Sequence, residues 1–291
     1  MATTPSPAPA NGDSDDARLK IYFLPNLLTA GNLFCGFVAL TYIVGANLVP
    51  DANGFVNWVP IKKALAFILL ACIFDLFDGR VARMVGCESP FGREFDSLAD
   101  LVSFGVAPAF LVHHVVLREA LPAEYKELGW FIASIYLICG AFRLARFNCL
   151  SAMNLPGAGK DFLGFPIPSA AGLVASLTLF IIKWNENDKD LGRWGWALPV
   201  VLLFLSAMMV SEVRYPSFKS LGLRTSTTFL KVVIAAIFVG CLMILREKIL
   251  YYVLPLFFTG YLVYGFVRPH ISRAWRREIE EDDDADAEAE G

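Results

Sequence analysis

Charge is scarce in this 291-residue chain: 18% of residues are Asp, Glu, Lys or Arg, against 56% that are hydrophobic. Soluble domains carry about 25% charged and about 45–50% apolar residues, so an ordinary water-soluble domain is excluded. Chain-wide disorder, a collagen-like repeat and a coiled coil are excluded by the same composition. Histidine is nearly missing, with His113, His114 and His270 alone, and none is assigned to chemistry. The six cysteines (Cys35, Cys72, Cys87, Cys139, Cys149 and Cys241) lack CxxC spacing. They read as small buried hydrophobes rather than disulfides or a zinc site. There is no Gly-rich phosphate loop, no Ser-His-Asp order and no nucleic-acid-binding motif, so no nucleic-acid partner is expected. The opening MATTPSPAPANGDSDD is polar and flexible, and no cleavable signal peptide is expected.

What the chain has in abundance is long apolar runs. A membrane helix needs about 20 mainly apolar residues, and eight candidate spans follow: roughly 28–48, 62–84, 94–117, 128–150, 165–183, 195–213, 228–246 and 249–267. The second, third and fourth contain charges, which are costly in a bilayer and mark function by default. The net charge of −3 hides an uneven distribution. Three acids precede Arg18 and nine crowd Glu278 to Glu290, so residues 17–277 carry +9 without them. A basic, apolar middle suits an anionic membrane. With the N-terminus inside, sixteen of the 25 Lys and Arg residues fall on inner segments, which places both termini in the cytoplasm. Trp58, Trp130, Trp184, Trp194 and Trp196 fall near outer ends, as an aromatic belt would. The expectation is an all-α integral membrane protein of about eight transmembrane helices. Residues 1–20 form a disordered N-terminal tail, 21–268 a transmembrane catalytic domain, and 269–291 a basic then acidic cytoplasmic tail.

One stretch breaks the apolar rule repeatedly. Asp75 and Asp78 stand three apart on one expected helix, and Asp96 and Asp100 four apart on the next, so each pair shares a helix face. Between them, Gly86 and Pro90 end one helix and start another. The expected result is a helical hairpin with four carboxylates converging at its cytoplasmic end. Four close anions repel unless one or two divalent cations hold them. All-oxygen ligands favour Mg²⁺ or Mn²⁺ over zinc, and two such ions suit a phosphate ester or pyrophosphate. Gly79, Ala82 and Gly92 have little side chain, which lets a flat base and a diphosphate approach the backbone. Arg83 follows Gly79 by four positions, within reach of phosphate oxygens. Salt bridges from these Asp residues to Arg80, Arg83 and Arg93 would explain each singly. They do not explain all four together, spaced regularly inside apolar helices.

The pattern D-x2-D-G-x2-A-R-x8-G-x3-D-x3-D, carried here by Asp75, Asp78, Gly79, Ala82, Arg83, Gly92, Asp96 and Asp100, resembles the signature of the CDP-alcohol phosphatidyltransferases. The resemblance implies an integral membrane enzyme that uses two divalent metals. Such an enzyme transfers a phosphatidyl or related group from a CDP-linked donor to an alcohol and releases CMP. It implies metal ligation by Asp75, Asp78, Asp96 and Asp100, with Asp100 also the general base. It sets Gly79, Ala82 and Arg83 against the CDP moiety, and is similar along Pro25 to Asn32, implying nucleotide binding by Asn26, Thr29 and Asn32. A homodimer is implied by the family alone.

Further segments resemble the bacterial and archaeal membrane-bound phosphatidylserine synthases of that family: Arg143 to Asn148, Phe162 to Pro168, Leu98 to Pro108 and Met209 to Lys219. One departure is Phe165, where Leu is expected. In all, the resemblance covers residues 21–267. It implies CDP-diacylglycerol as donor and L-serine as acceptor. Arg143, Arg146, Asn148, Ser211 and Lys219 are candidates for gripping the serine carboxylate or the lipid phosphate, and positive-inside anchoring accounts for the three Arg and Lys side chains among them about as well. Choline, glycerol 3-phosphate or an inositol phosphate remains an alternative acceptor; choline would call for aromatic faces around its ammonium. A cation-coupled transporter is a remoter alternative, weakened because no second DxxDG copy stands in the C-terminal half.

Overall fold

A bilayer offers no water to backbone N–H and C=O groups, so a lipid-facing segment must close its hydrogen bonds within itself as a helix. A computed structural model of the chain describes residues 23–49, 56–85, 89–117, 126–153, 161–185, 197–216 and 250–267, and over these it is mostly helical. Helix α1 spans Phe23–Val44 and α2 spans Val59–Val85. A continuous helical rod follows, made of α3 (Pro90–Asp100), a π-helical stretch Leu101–Val106, α4 (Ala107–Val112) and a second π-helical stretch His113–Leu117. Helix α5 (Lys126–Ala152), α6 (Ile167–Asn185), α7 (Ala197–Val210) and α8 (Leu250–Val267) complete the described helices. Two three-residue strands, β1 (Asp161–Leu163) and β2 (Arg214–Pro216), pair antiparallel with Phe162 opposite Tyr215.

Seven of the eight expected spans fall on these helices, and the one at 228–246 lies outside the described residues. Among the described residues, four segments are long and apolar enough to cross a membrane: Asn26–Val44, Pro90–Val115, Glu127–Ala152 and Ile167–Trp184. Helix α2 is longer than any of these segments, but Lys62, Lys63, Asp75, Asp78, Arg80 and Arg83 lower its apolar character. Over the described residues helix α7 has 14 residues, about 21 Å at 1.5 Å per residue, against the roughly 30 Å of a hydrocarbon core. Large apolar side chains stand on the outside, among them Phe34 (64% exposed), Phe142 (65%) and Leu256 (75%). Water would penalise such a surface; lipid does not. The protein is a helical membrane protein.

Side-chain contacts give the helix directions. Thr29 meets Asp78 and Tyr42 stacks on Phe67, so α1 and α2 run antiparallel. Asn32 meets Asp100 and Ala46 meets His114, so the rod 90–117 runs parallel to α1. Ser97 meets Asn148 and Phe104 meets Tyr136, which turns α5 back against the rod. The start of α1, the end of α2, the start of α3 and the end of α5 therefore share one end of the bundle. Every candidate residue within the described segments lies toward that end.

The rod begins where Ser89 caps it: the Ser89 hydroxyl accepts from the Gly92 N–H at 3.0 Å, with Pro90 at the first helical position. Its π-helical stretch right after Asp100 rotates the following residues relative to a regular helix. Ser103 comes to rest against α1 there, its hydroxyl donating to the Asn32 carbonyl at 2.9 Å. That contact requires Gly36: a Cβ at this position would lie 2.2 Å from Ser103 Oγ and 2.7 Å from Ser103 Cα. Gly36→Ala is therefore expected to push α1 off the rod and cost about 1–3 kcal/mol. Thermal unfolding of the detergent-solubilised protein would read this as a lowered Tm.

Candidate active site

The two acidic pairs meet as their spacing requires. Asp75 and Asp78 project from the last part of α2, and Asp96 and Asp100 from α3 across the 86–89 connection. Carboxylate oxygens of Asp75, Asp78 and Asp96 lie within 4.8 Å of one another. Asp100 is outside that triad yet close enough to interact electrostatically with all three of its members. Asp78 and Asp100 are buried, and Asp75 and Asp96 half-buried. Carboxylates this close in an apolar bundle repel unless a cation joins them. The donor set fits one: all are hard oxygens, and Asp96 Oδ1 is buried with no hydrogen-bond partner, an acceptor of the kind a bound ion satisfies.

Helix α1 forms the neighbouring wall. Thr29 Oγ1 donates to Asp78 Oδ2 at 3.0 Å, and Asn32 Nδ2 donates to Asp100 Oδ1 at 3.0 Å. Asn26 lies against Gly92, its Oδ1 3.4 Å from where a Cβ would stand there, and its Nδ2 is buried without a partner. Gly79 is half-buried on α2 one residue past Asp78. Ala82 and Arg83 continue that helix, one turn beyond the aspartates.

On the opposite side, α5 contributes two arginines with different surroundings. Arg143 is buried, with only 6% of its surface exposed, and interacts electrostatically with Asp100 and Asp75. Its guanidinium also lies over the Phe147 ring at 5.5 Å. Arg146, one turn further, spreads its guanidinium over four carbonyl oxygens: Val210 at 3.0 Å, Leu163 at 2.9 Å, Met209 at 3.2 Å and Ser211 at 3.1 Å. Three of these close the C-terminal end of α7, where a cation also complements the helix dipole. The fourth ties in β1. Gly164 makes the junction fit, with φ +78 and a virtual Cβ 2.2 Å from the Met209 carbonyl oxygen and 2.7 Å from Arg146 Nη2; no other residue takes both the conformation and the space.

Ser211 uses its hydroxyl locally, donating to the Met208 carbonyl at 2.8 Å. Asn148 donates to Ser97 Oγ at 2.9 Å and more weakly to Glu94 Oε2 at 3.4 Å. It stands in the wall of a cavity of about 280 Å³ lined by Pro90, Arg93, Glu94, Asn148, Ser151 and Ala152. Lys219 lies outside the described residues. Phe165, the departure from Leu, is fully buried and packs its ring on Tyr215 at 5.2 Å and Tyr261 at 5.7 Å. The larger side chain thus fills an aromatic cluster behind the two arginines. Sequence reasoning gave no role to Ser97, Ser103 or Gly164. Of these, only Gly164 carried a local signal, as a glycine between two apolar residues at a turn.

A helical membrane protein with an acidic, metal-competent centre at one end of its bundle is the class that fold and site define. The chain belongs to the CDP-alcohol phosphatidyltransferase family, whose profile matches residues 22–211, and is accordingly a phosphotransferase. It is 32% identical over 250 residues to the CDP-diacylglycerol–serine O-phosphatidyltransferase of Helicobacter pylori strain J99, covering 85% of this chain and 91% of that one. It is 34% identical over 201 residues to the protein of the same name in Bacillus subtilis, covering 68% and 92%. The archaetidylserine synthase of Methanothermobacter thermautotrophicus is 30% identical over 207 residues, covering 70% and 73%.

The Arg146 contacts generate an expectation. Arg146→Ala leaves four carbonyls without their donor and is expected to cost at least about 2 kcal/mol, since hydrogen bonds to charged groups contribute about 1.5–3 each. Arg146→Lys should recover only part of that, because an ammonium is a point donor and not a planar fork. Thermal unfolding of the three proteins side by side would show the order.

Proposed function

We propose that this protein transfers the phosphatidyl group of CDP-diacylglycerol to the hydroxyl of L-serine, giving phosphatidylserine and CMP. The observation that carries this reading is the Asp75–Asp78–Asp96 triad with Asp100 beside it, within a family match that extends to relatives named for serine transfer. Asp75, Asp78, Asp96 and Asp100 would hold two divalent cations, Mg²⁺ or Mn²⁺. When bound, these supply neutralisation of the diphosphate and of the charge developing on departing CMP.

The chain's own groups do the rest. Asn26, Gly79, Ala82 and Arg83 bind the CDP moiety in this reading, the small residues admitting the base and Arg83 pairing with phosphate oxygens. Arg143, a buried cation facing Asp100, holds the serine carboxylate and leaves the hydroxyl near Asp100. The serine oxygen bonds to the phosphorus bearing diacylglycerol. The bond from that phosphorus to the CMP oxygen breaks, and CMP leaves with the electron pair. Asp100 takes the hydroxyl proton.

Around this centre we place the finer architecture in the same reading. The catalytic domain spans 21–268 with about eight transmembrane helices, between a tail at 1–20 and another at 269–291. Both termini and the site face the cytoplasm at the cell's inner membrane, and the protein works as a homodimer.

CMP release from CDP-diacylglycerol by the purified protein tests the function. Serine, glycerol 3-phosphate, inositol 1-phosphate and choline are offered separately, with Mg²⁺, Mn²⁺ or a chelator. Serine-dependent release that the chelator abolishes is the expected result; release with another acceptor alone would overturn the serine assignment. Asp100→Asn should lower kcat by at least about a hundredfold, the lower range for a positioned base. Arg83→Ala should raise the KM for CDP-diacylglycerol at least roughly tenfold, the loss of one charge-assisted hydrogen bond of about 1.5 kcal/mol.

A further inference from the structure

Hydroxyl side chains inside a helix ordinarily bond back to a carbonyl of their own helix, three or four residues earlier. Thr41, Ser134, Thr178 and Ser206 all do so here. Thr29 reaches beyond its own helix: its hydroxyl crosses to α2 and donates to Asp78 Oδ2. One turn along the same face of α1, Asn32 donates across to Asp100 Oδ1. The two donors are three residues apart, which sets them on one face of α1, and they reach one carboxylate from each acidic helix. Both are closed off from the surface, Thr29 at 3% exposure and Asn32 at 0%. Asn32 is thus fully buried with its amide N–H engaged by Asp100. Asn32 is itself held, since Ser103 of the π-helical stretch donates to its carbonyl at 2.9 Å.

We infer that Thr29 and Asn32 are positioning residues of the metal centre, each engaging one oxygen of a ligand carboxylate so that the other is presented to the cation. The inference rests on the metal reading of the site given above. Groups that orient metal ligands in this way change metal affinity by about 10–100-fold when removed. Asp78 and Asp100 come from different helices, so α1 acts as the brace that keeps α2 and α3 in register around the ion. Nucleotide contact, by contrast, would leave metal affinity untouched in the absence of nucleotide.

The experiment is a titration of the full-length, detergent-solubilised protein with Mn²⁺ alone, free ion being followed by its electron paramagnetic resonance signal, without nucleotide or lipid donor. Thr29→Val and Asn32→Leu remove the donors at nearly constant volume, and Thr29→Ser keeps the hydroxyl. The expected result is a Kd for Mn²⁺ raised at least about tenfold in Thr29→Val and Asn32→Leu, with Thr29→Ser within about twofold of the parent. Thr29→Ala and Asn32→Ala stand in for a variant whose metal-free form does not unfold cooperatively. A Kd unchanged in both donor-less variants overturns the inference, as does an equal loss in Thr29→Ser and Thr29→Val. Absence of Mn²⁺ binding by the parent protein is a separate failure, of the metal reading itself.

Discussion

Four carboxylates held together inside an apolar bundle are the constraint on which the rest of the structure depends. Each would be expensive to ionise there alone, and their mutual repulsion adds to the cost. A site of this kind persists only when its surroundings supply compensating donors and charge. Around the aspartates the protein provides donors from α1, a buried guanidinium from α5 and an oxygen cluster suited to a divalent cation. Polar groups are otherwise sparse along the described helices, and the remaining buried Ser and Thr hydroxyls mostly bond within their own helix. The bundle thus confines its polar demands to one end.

That end is also where the chain departs from regular helix. The π-helical stretch after Asp100 shifts the face of the rod so that Asp100 looks toward Asn32 while Ser103 still reaches α1. The paired strands β1 and β2, with Arg146 drawn over the carbonyls of Leu163, Met209, Val210 and Ser211, bind the ends of α5, α6 and α7 into one unit. Irregular backbone still needs partners for its polar groups, and a single arginine bonds four of its carbonyls here. The aromatic cluster of Phe165, Tyr215 and Tyr261 fills the space behind. The two arginines of α5 therefore divide their tasks by one helical turn: Arg143 serves the acidic centre and Arg146 the scaffold.

The centre and the bilayer are consistent with each other. A water-soluble head and a diacyl tail cannot share one solvent, and a site at the end of membrane helices lets each part of such a lipid keep its own. Exposed Phe34, Phe142 and Leu256 present hydrocarbon to hydrocarbon. Asp78 and Asp100 are buried within the bundle, each bonded by a side chain of α1.

The sequence by itself determined the helical membrane character, the helical hairpin and the convergence of Asp75, Asp78, Asp96 and Asp100. These follow from local periodicity: three- and four-residue spacings set a face, and a Ser-Pro pair starts a helix. It also carried the family, through residues whose spacing is short enough to read along one chain. Only the tertiary structure decided which partner each polar side chain takes. Arg143 and Arg146 look alike in sequence, one turn apart, yet one is buried within electrostatic reach of Asp100 and Asp75 and the other bonds carbonyls 17 to 65 residues away. Thr29 and Asn32 look like any polar pair on an apolar helix, and their hydrogen bonds close over 49 and 68 residues. The physical reason is that a hydrogen bond has short reach and strict direction, so its partner is set by how helices are turned and docked, and a π-helical turn is enough to change it.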